Sequence, residues 1–387
     1  MPIKNRIADM HAEVTAWRRD LHSNPELRFE EHRTSALVAE RLAAFGCDEV
    51  ATGIGRTGVV GVIKGRAPGD RVIGFRADMD ALPIEEATGA PHASQSPGKM
   101  HACGHDGHTA MLLGAARYLA ETRNFAGTVV VIFQPAEEGS GGARAMIADG
   151  LMERWSIDEV YGMHNWPGLP AGAFAVRDGP QMGAVDYFTI TVKGRGGHAA
   201  LPHLAVDTSL AASATVVAVQ SIAARNLDPL KTMVLSIGGI RSDTDTFNVI
   251  PDTVTLKGTV RYLEPQVQEM IVTRLTAIAE ATAAAYGASA VVDYTNQVGA
   301  TINDPDAAAR AADVARRVAG DVIRDLDPVM PGEDFSDMLA ERPGAYLFIG
   351  NGDSADLHNP AYDFNDEIIP AGVSWYAELA ETRMPLM

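Results

Sequence analysis

Eight consecutive residues, His101-Ala102-Cys103-Gly104-His105-Asp106-Gly107-His108, concentrate the side-chain types that bind transition metals best. Cys103 and His105, separated by one glycine, can turn toward one ion from a loop. Thiolate, imidazole and carboxylate together suit zinc, and imidazole with carboxylate also suits manganese, cobalt or nickel. The stretch also reads as a helix N-terminus, with Asp106 as a cap and His108 on the surface. His101 and His108 are assigned to that second reading, and Cys103 and His105 to metal ligation. Cys103 as a nucleophile paired with a histidine is a third reading, without an identifiable Asn or Asp to orient the pair.

Glu137-Glu138 is a tandem carboxylate pair followed by a glycine-rich turn, Gly139-Ser140-Gly141-Gly142. In extended chain adjacent side chains diverge, and a turn can aim them at different targets. One can bind metal while the other moves protons. An ordinary acidic turn is the alternative, and the neighbouring Cys/His cluster tips the reading toward chemistry. His164 and His358 share a context, His164-Asn165-Trp166-Pro167 and His358-Asn359-Pro360. Each is a candidate ligand or a hydrogen-bonded loop histidine. Asp78 is a ligand, a group that fixes a ligand or the base, or a turn residue. Asp80 reads as a cap or turn residue.

The elements that must carry these groups follow from hydrophobic spacing. Helices are predicted from Arg6 to His22 and from Glu31 to Phe45, the second stopped by Gly46. Short apolar runs at Gly58–Ile63, Arg71–Phe75 and Glu159–Met163 predict strands. Gly107–Glu121 has helical spacing. Thr128–Phe133 is a continuous β-branched run suited to a strand buried on both faces. This alternation predicts an α/β sandwich around a mostly parallel sheet. The reactive residues fall just past the C-terminal ends of three of these strands, the edge where open α/β sheets bind ligands.

The middle of the chain changes character. Strand Tyr187–Val192, a long helix Leu204–Arg225, strands Met233–Ile237 and Thr253–Tyr262, helix Pro265–Tyr286 and a strand near Ala290–Tyr294 give the order β-α-β-β-α-β of ferredoxin-like units. Residues 184–298 therefore read as an inserted α+β domain. Residues 1–183 and 299–387 read as a discontinuous α/β domain, closed by helix Pro305–Val318, strand Ala345–Ile349 and a helix near Gly372–Thr382.

A length of 387 residues suits two or three folding units. Lys+Arg total 32 and Asp+Glu 50, a net charge of −18 that opposes binding to nucleic acid or anionic membranes. No apolar run reaches membrane-spanning length, and the first residues carry charges without an apolar core, so no secretory leader is expected. Two cysteines, Cys47 and Cys103, fit a reducing, cytoplasmic location, with one disulfide still open.

Together these motifs resemble the M20 metallopeptidase clan, in particular its amidohydrolase branch of hippurate, N-acyl-amino-acid and auxin-conjugate hydrolases. The matching stretches run almost end to end. They are Arg18-Arg19-Asp20-Leu21-His22 with Pro25-Glu26-Leu27, RADMDALPI at Arg76–Ile84, HACGHDGHTAMLLGAA at His101–Ala116, FQPAEEG at Phe133–Gly139 and HNWPGLPAG at His164–Gly172. They continue with GRGGHAALPH at Gly194–His203, NVIPD at Asn248–Asp252, GTVR at Gly258–Arg261, GEDFS at Gly332–Ser336 and LHNPAYDFND at Leu357–Asp366.

The resemblance implies two divalent metal ions (zinc, manganese, cobalt or nickel) held by Cys103, His105, Glu138, His164 and His358, with Cys103 the candidate bridge. It implies Glu137 as general base, Asp78 as the residue orienting the metal centre, and His198 as a histidine reaching the scissile carbonyl. Asn248 and Arg261 would help hold the substrate carboxylate. It also implies that the inserted domain is a lid or dimerisation domain and that the protein is a homodimer or dimer-based oligomer. The expected activity is metal-dependent hydrolysis of N-acyl amino acids to a carboxylic acid and an amino acid, with the acyl group open. The competing expectations are a dipeptidase or carboxypeptidase of the same clan and a non-catalytic binding protein with the same fold. A structural zinc protein would need four ligands close in sequence, whereas these run from 103 to 358.

Overall fold

Strand Ala126–Gln134 carries Val129, Val130, Val131, Ile132 and Phe133, each with no exposed surface. A strand buried on both faces needs cover on both sides. The computed structural model, which describes residues 4–386, supplies that cover in the first of two compact units. This unit comprises the chain up to Gln181, Ile302–Asp327 and the chain from Asp334 onward.

Its sheet has eight strands. Their order is Glu49–Ile54, Gly58–Lys64, Ala126–Gln134, Ala67–Asp78, Glu159–Pro167, Gly344–Gly352, Phe174–Ala175 and Val322–Ile323. The four central strands, Ala126–Gln134 to Gly344–Gly352, are parallel to one another. Gly58–Lys64 joins them antiparallel and brings the edge strand Glu49–Ile54, which the apolar pattern had not indicated. Ile73, Phe75 and Ala77 face a core shared with helices Asn5–Ser23, His32–Phe45, His105–Thr122, Pro305–Ala319 and Ile369–Arg383. The opposite face is closed at Gly74, where an added Cβ would meet Ile132, Ile157 and Val160 at 3.2–3.3 Å. Gly46 ends helix His32–Phe45 in the left-handed region, φ 81°, as its sequence position implied.

The second unit comprises Met182–Thr301 and Pro328–Glu333. Its four-stranded antiparallel sheet has the order Met233–Ser242, Thr253–Tyr262, Ala184–Lys193, Ser289–Val298. With helices Thr208–Val219 and Pro265–Ala285 this is the ferredoxin-like arrangement. The expected single helix Leu204–Arg225 is broken into three pieces. A 3₁₀ turn, Pro202–Leu204, precedes Asp207, whose carboxylate accepts the Leu210 N–H at 3.0 Å and starts a new helix, while Ile222–Asn226 winds as a π turn. Asp207 is a strong N-cap, and that local hydrogen bond outweighs the apolar continuity around it.

In the first unit, the opening helix is bolted to the segments that hold the reactive residues. Arg18 is fully buried; its Nε donates to Asp366 at 2.6 Å, and its Nη1 lies 3.5 Å from Asp106. His22 is also buried, with Nδ1 2.8 Å from Asp106 and Nε2 3.3 Å from Glu86. Burial opposes the charge on His22, but Asp106 and Glu86 outweigh it and lift the ring to about 9. Asp106 is thus the buried partner of His22 and Arg18. It is not the expected cap, because a buried carboxylate goes to the charged donors within reach.

Two predictions follow from this packing. Gly107, in the first turn of helix His105–Thr122, faces Phe364, and an added Cβ would meet three ring atoms at 2.2–2.4 Å. A helical Gly→Ala change normally gains about 1 kcal/mol. Here overpacking should win, and Gly107→Ala should lower the unfolding free energy by about 1–3 kcal/mol in denaturant titration. His22 gains its proton affinity on folding, so its contribution is complete below about pH 6.5 and is lost as pH rises through about 9. Unfolding stability should fall across that window by on the order of 2–3 kcal/mol. His22→Gln should flatten that slope, and an unchanged slope would remove His22 as its source.

Candidate metal centre

The groups singled out by type converge at one edge of the first unit's sheet. Three central strands run further than their apolar runs indicated, so Asp78 closes one strand, Gln134 another, and His164 and Asn165 lie within a third. Cys103, His105 and His164 bring their ligand atoms within 4.8 Å of one another, as do Cys103, Glu138 and His358, and His105, Glu137 and Glu138. Cys103 Sγ lies 3.4 Å from His164 Nε2, and His358 Nε2 lies 3.2 Å from Glu138 Oε1.

Two of the imidazoles are fixed in a definite tautomer. His105 Nδ1 lies 2.8 Å from the Asp80 carbonyl and His164 Nδ1 lies 2.7 Å from the Asn165 carbonyl. A carbonyl only accepts, so each Nδ1 carries a hydrogen, and in the neutral ring each Nε2 presents its lone pair. His105 Nε2 and Glu138 Oε1 are buried without a hydrogen-bond partner. Burial pushes the Cys103 thiol well up, helped by Glu138, and pushes His164 well down, helped by His108. Burial also opposes a charge on His105, but Asp78 outweighs it and raises that ring. A thiol, three imidazoles and a carboxylate in overlapping triads, with two of their buried atoms free of hydrogen bonds, are a set that fits divalent cations.

Gly104 is what lets the loop close. Its φ is 89°, and an added Cβ would stand 2.1 Å from Asn165 Oδ1. His358 also has a positive φ, 64°, and its N–H donates to the Ala102 carbonyl at 2.7 Å. The last ligand candidate is therefore tied by backbone to the loop of the first.

The tandem glutamates part as expected of a turn. Glu138 faces His358, whereas Glu137 Oε1 accepts the Asp334 N–H at 3.4 Å. Asp80 organises that turn: its two oxygens accept the Glu137 and Glu138 N–H groups, each at 3.0 Å, and one lies 3.3 Å from His105 Nδ1. Asp80 is therefore not the simple cap or turn residue its sequence position suggested. The available signal was its place just past a central strand, two residues from Asp78. Asp78 takes Arg76 Nη1 and His108 Nδ1 at 2.6 Å each. Burial opposes its charge, but His105, Arg76 and His108 hold it well below the usual carboxylate range.

His108 and His101, expected on the surface, are 1% and 2% exposed. His108 spans from Asp78 to the backbone N–H of Asn165, which donates to its Nε2 at 3.0 Å. Helix His105–Thr122 lies between the sheet and other helices, so even its first turn has no solvent face. Both cysteines are free thiols, so no disulfide joins them.

His198, Asn248 and Arg261 belong to the second unit. His198 is exposed, and its Nδ1 accepts the Ala200 N–H at 3.0 Å, so the neutral ring carries its proton on Nε2. Asn248 is exposed, and its carbonyl accepts the Ala199 N–H. Arg261 is half-buried and, among the described residues, forms no salt bridge; burial lowers its proton affinity.

Residues 74–382 match the peptidase family M20/M25/M40. The chain is 42% identical over 376 residues to a hippurate hydrolase of Campylobacter jejuni subsp. jejuni, covering 97% of each chain. It is 40% identical to an N-acetyl-L-cysteine deacetylase of Bacillus subtilis, covering 94% of this chain and 86% of that one. A crystal structure of the Bacillus subtilis YXEP protein, described as a dinuclear metal binding peptidase from the M20 family, superposes with a TM-score of 0.87 at 34% identity, covering 98% of this chain and all of the other. No helix among the described residues is long and apolar enough to cross a membrane. The chain belongs to peptidase family M20/M25/M40, as a metal-dependent amidohydrolase.

Proposed function

We propose that the protein hydrolyses the amide bond of N-acyl amino acids to a carboxylic acid and a free amino acid. The observation that carries this reading is the convergence of Cys103, His105, Glu138, His164 and His358 in overlapping triads, with Glu137 inside one of them. Similarity to a hippurate hydrolase and to an N-acetyl-L-cysteine deacetylase supports the substrate class, since both names describe an acylated amino acid.

The five ligands would hold two divalent cations, zinc, manganese, cobalt or nickel. Cys103 belongs to two of the triads and is the proposed bridge. Bound there, such cations polarise an amide carbonyl and lower the pKa of a coordinated water from about 15.7 toward about 7. Glu137 takes the proton of the attacking water and later delivers one to the leaving amine nitrogen. In the second unit, the Nε2–H of His198 is the proposed donor to the carbonyl oxygen. Asn248 and the guanidinium of Arg261, which forms no salt bridge among the described residues and donates to the Val260 carbonyl at 3.0 Å, are the proposed contacts for the carboxylate. In a chain of net charge −18, an anionic substrate needs such a local cation.

Hydrolysis of a panel of N-acyl amino acids and dipeptides, each with added Zn²⁺, Mn²⁺, Co²⁺ or Ni²⁺, tests the reading. Turnover should favour the acylated amino acids and vanish on chelation; preference for dipeptides would replace this substrate class by the peptidase alternative. Glu137→Gln should lower kcat by about 100-fold or more while metal content stays at the parent level. Cys103→Ser should weaken metal binding by about tenfold or more, since losing even an outer partner costs that much. Elemental analysis after dialysis reads this directly, and equal occupancy in parent and variant would remove Cys103 from the site.

A further inference from the structure

The turn that delivers both glutamates has a backbone an L-residue does not adopt freely. Ala136, just before Glu137, has φ 51°. Three successive N–H groups of this turn end on two carboxylates. Ala136 N donates to Glu31 Oε1 at 2.9 Å, and Glu137 N and Glu138 N donate to the two oxygens of Asp80 at 3.0 Å. Glu31 has no exposed surface. Its Oε1 also accepts the N–H of Phe29, itself left-handed at φ 61°, and its Oε2 accepts the Thr57 hydroxyl at 2.5 Å. One carboxylate oxygen thus receives the N–H groups of two residues held at positive φ. Elsewhere the turn is held by Gly142 N on the Ala136 carbonyl at 3.1 Å and by Arg28 on the Glu138 carbonyl.

We propose that Glu31 is a positioning residue for the reaction: together with Asp80 it clamps the amides of Ala136, Glu137 and Glu138, holds Ala136 left-handed, and so keeps Glu137 and Glu138 aimed at different targets. This rests on the reading of Glu137 as the base and extends it to a residue that touches neither metal nor substrate. Hydrogen bonds to a carboxylate are the strong kind, and with their acceptor gone Ala136 relaxes toward negative φ. That rotation carries the next two side chains with it. A displacement of about 1 Å at a reacting group can cost about 100-fold in rate.

The test uses the full chain loaded with Mn²⁺, with a cooperative melt required of every variant. Glu31→Leu should lower kcat by about 10- to 100-fold with KM changed less than about threefold. Titrating Mn²⁺ into the metal-free variant should show affinity weakened by about tenfold, because Glu138 leaves with the turn. Glu31→Gln keeps an oxygen at the Oε1 position and should recover most of both losses. Ala136→Gly supplies a residue that takes positive φ unaided, so combining it with Glu31→Leu should restore part of kcat, a coupling that a general packing role does not produce. A folded Glu31→Leu protein with parental kcat and Mn²⁺ affinity overturns the clamp, and so does a loss that Ala136→Gly leaves untouched. If Glu31→Leu does not fold, Thr57→Val loosens the same carboxylate. It should lower kcat by a few-fold in a manner Ala136→Gly relieves, and unchanged kcat counts against the proposal. Glu137→Gln run alongside separates the two ideas. Full activity there strikes the base assignment itself, whereas an inactive Glu137→Gln beside a fully active Glu31→Leu strikes only the clamp.

Discussion

Asp80 is 1% exposed, and its carboxylate is satisfied by the backbone of a segment more than fifty residues away. Among the described residues no lysine or arginine pairs with it. A buried carboxylate without donors costs several kcal/mol, so the two N–H groups of Glu137 and Glu138 are obligatory partners as well as convenient ones. Through its carbonyl the same residue sets the tautomer of His105. One desolvated acid therefore fixes the orientation of a ligand candidate and of both glutamates. It lies two residues past the end of a central parallel strand, which gives that control a rigid base.

The surrounding charges follow one pattern. The buried cations of the first unit are already engaged with structural acids: Arg76 with Asp78 and Asp334, and Arg18 with Asp106 and Asp366. Among the described residues, no lysine or arginine pairs with the side chain of a ligand candidate. Cys103 and His164 are driven toward their neutral forms by burial, and the buried Oε1 of Glu138 accepts no hydrogen bond. A pocket of this kind is electrostatically incomplete. Added positive charge favours the thiolate at Cys103 and gives the lone pairs of His105 and His164 something to bind, which is why the donor set and the burial together speak for cations. The alternative resolution, an internal Arg or Lys, is the one applied a few ångströms away at Asp78 and Asp106.

Much of this was legible in the sequence because it is written in short-range signals. The β-branched run at 128–133 needs burial on both faces, and Pro265 and Gly46 mark a helix start and a helix stop. Cys103 and His105 are adequate metal ligands by type and spacing alone. The inaccessible part is what depends on tertiary cover. His108 lies in a helix whose surface is polar by composition at that end, and only the helices packed over it make it interior. Asp106 looks like a cap because caps are local, whereas its partners, Arg18 and His22, come from a helix more than eighty residues earlier. The break at Asp207 is the opposite case: the cap is local, and the apolar continuity around it masks the signal. Glu31 carried no signal of its own, since the amide it accepts from lies 105 residues further on.

Two residues at the centre, Ala136 and His358, are held at positive φ without being glycine. Such conformations persist only where surrounding hydrogen bonds over-determine them. Both meet that condition: Ala136 through Glu31 and Gly142, and His358 through the Ala102 carbonyl. Ligands from four separate segments would otherwise lose considerable chain entropy on being gathered around an ion, at about 1–2 kcal/mol for each backbone residue fixed. Backbone hydrogen bonds such as these hold part of the loops in place and so lower that cost. A centre built this way binds metal tightly only while its backbone clamps hold, and those clamps sit at residues with no ligand chemistry of their own.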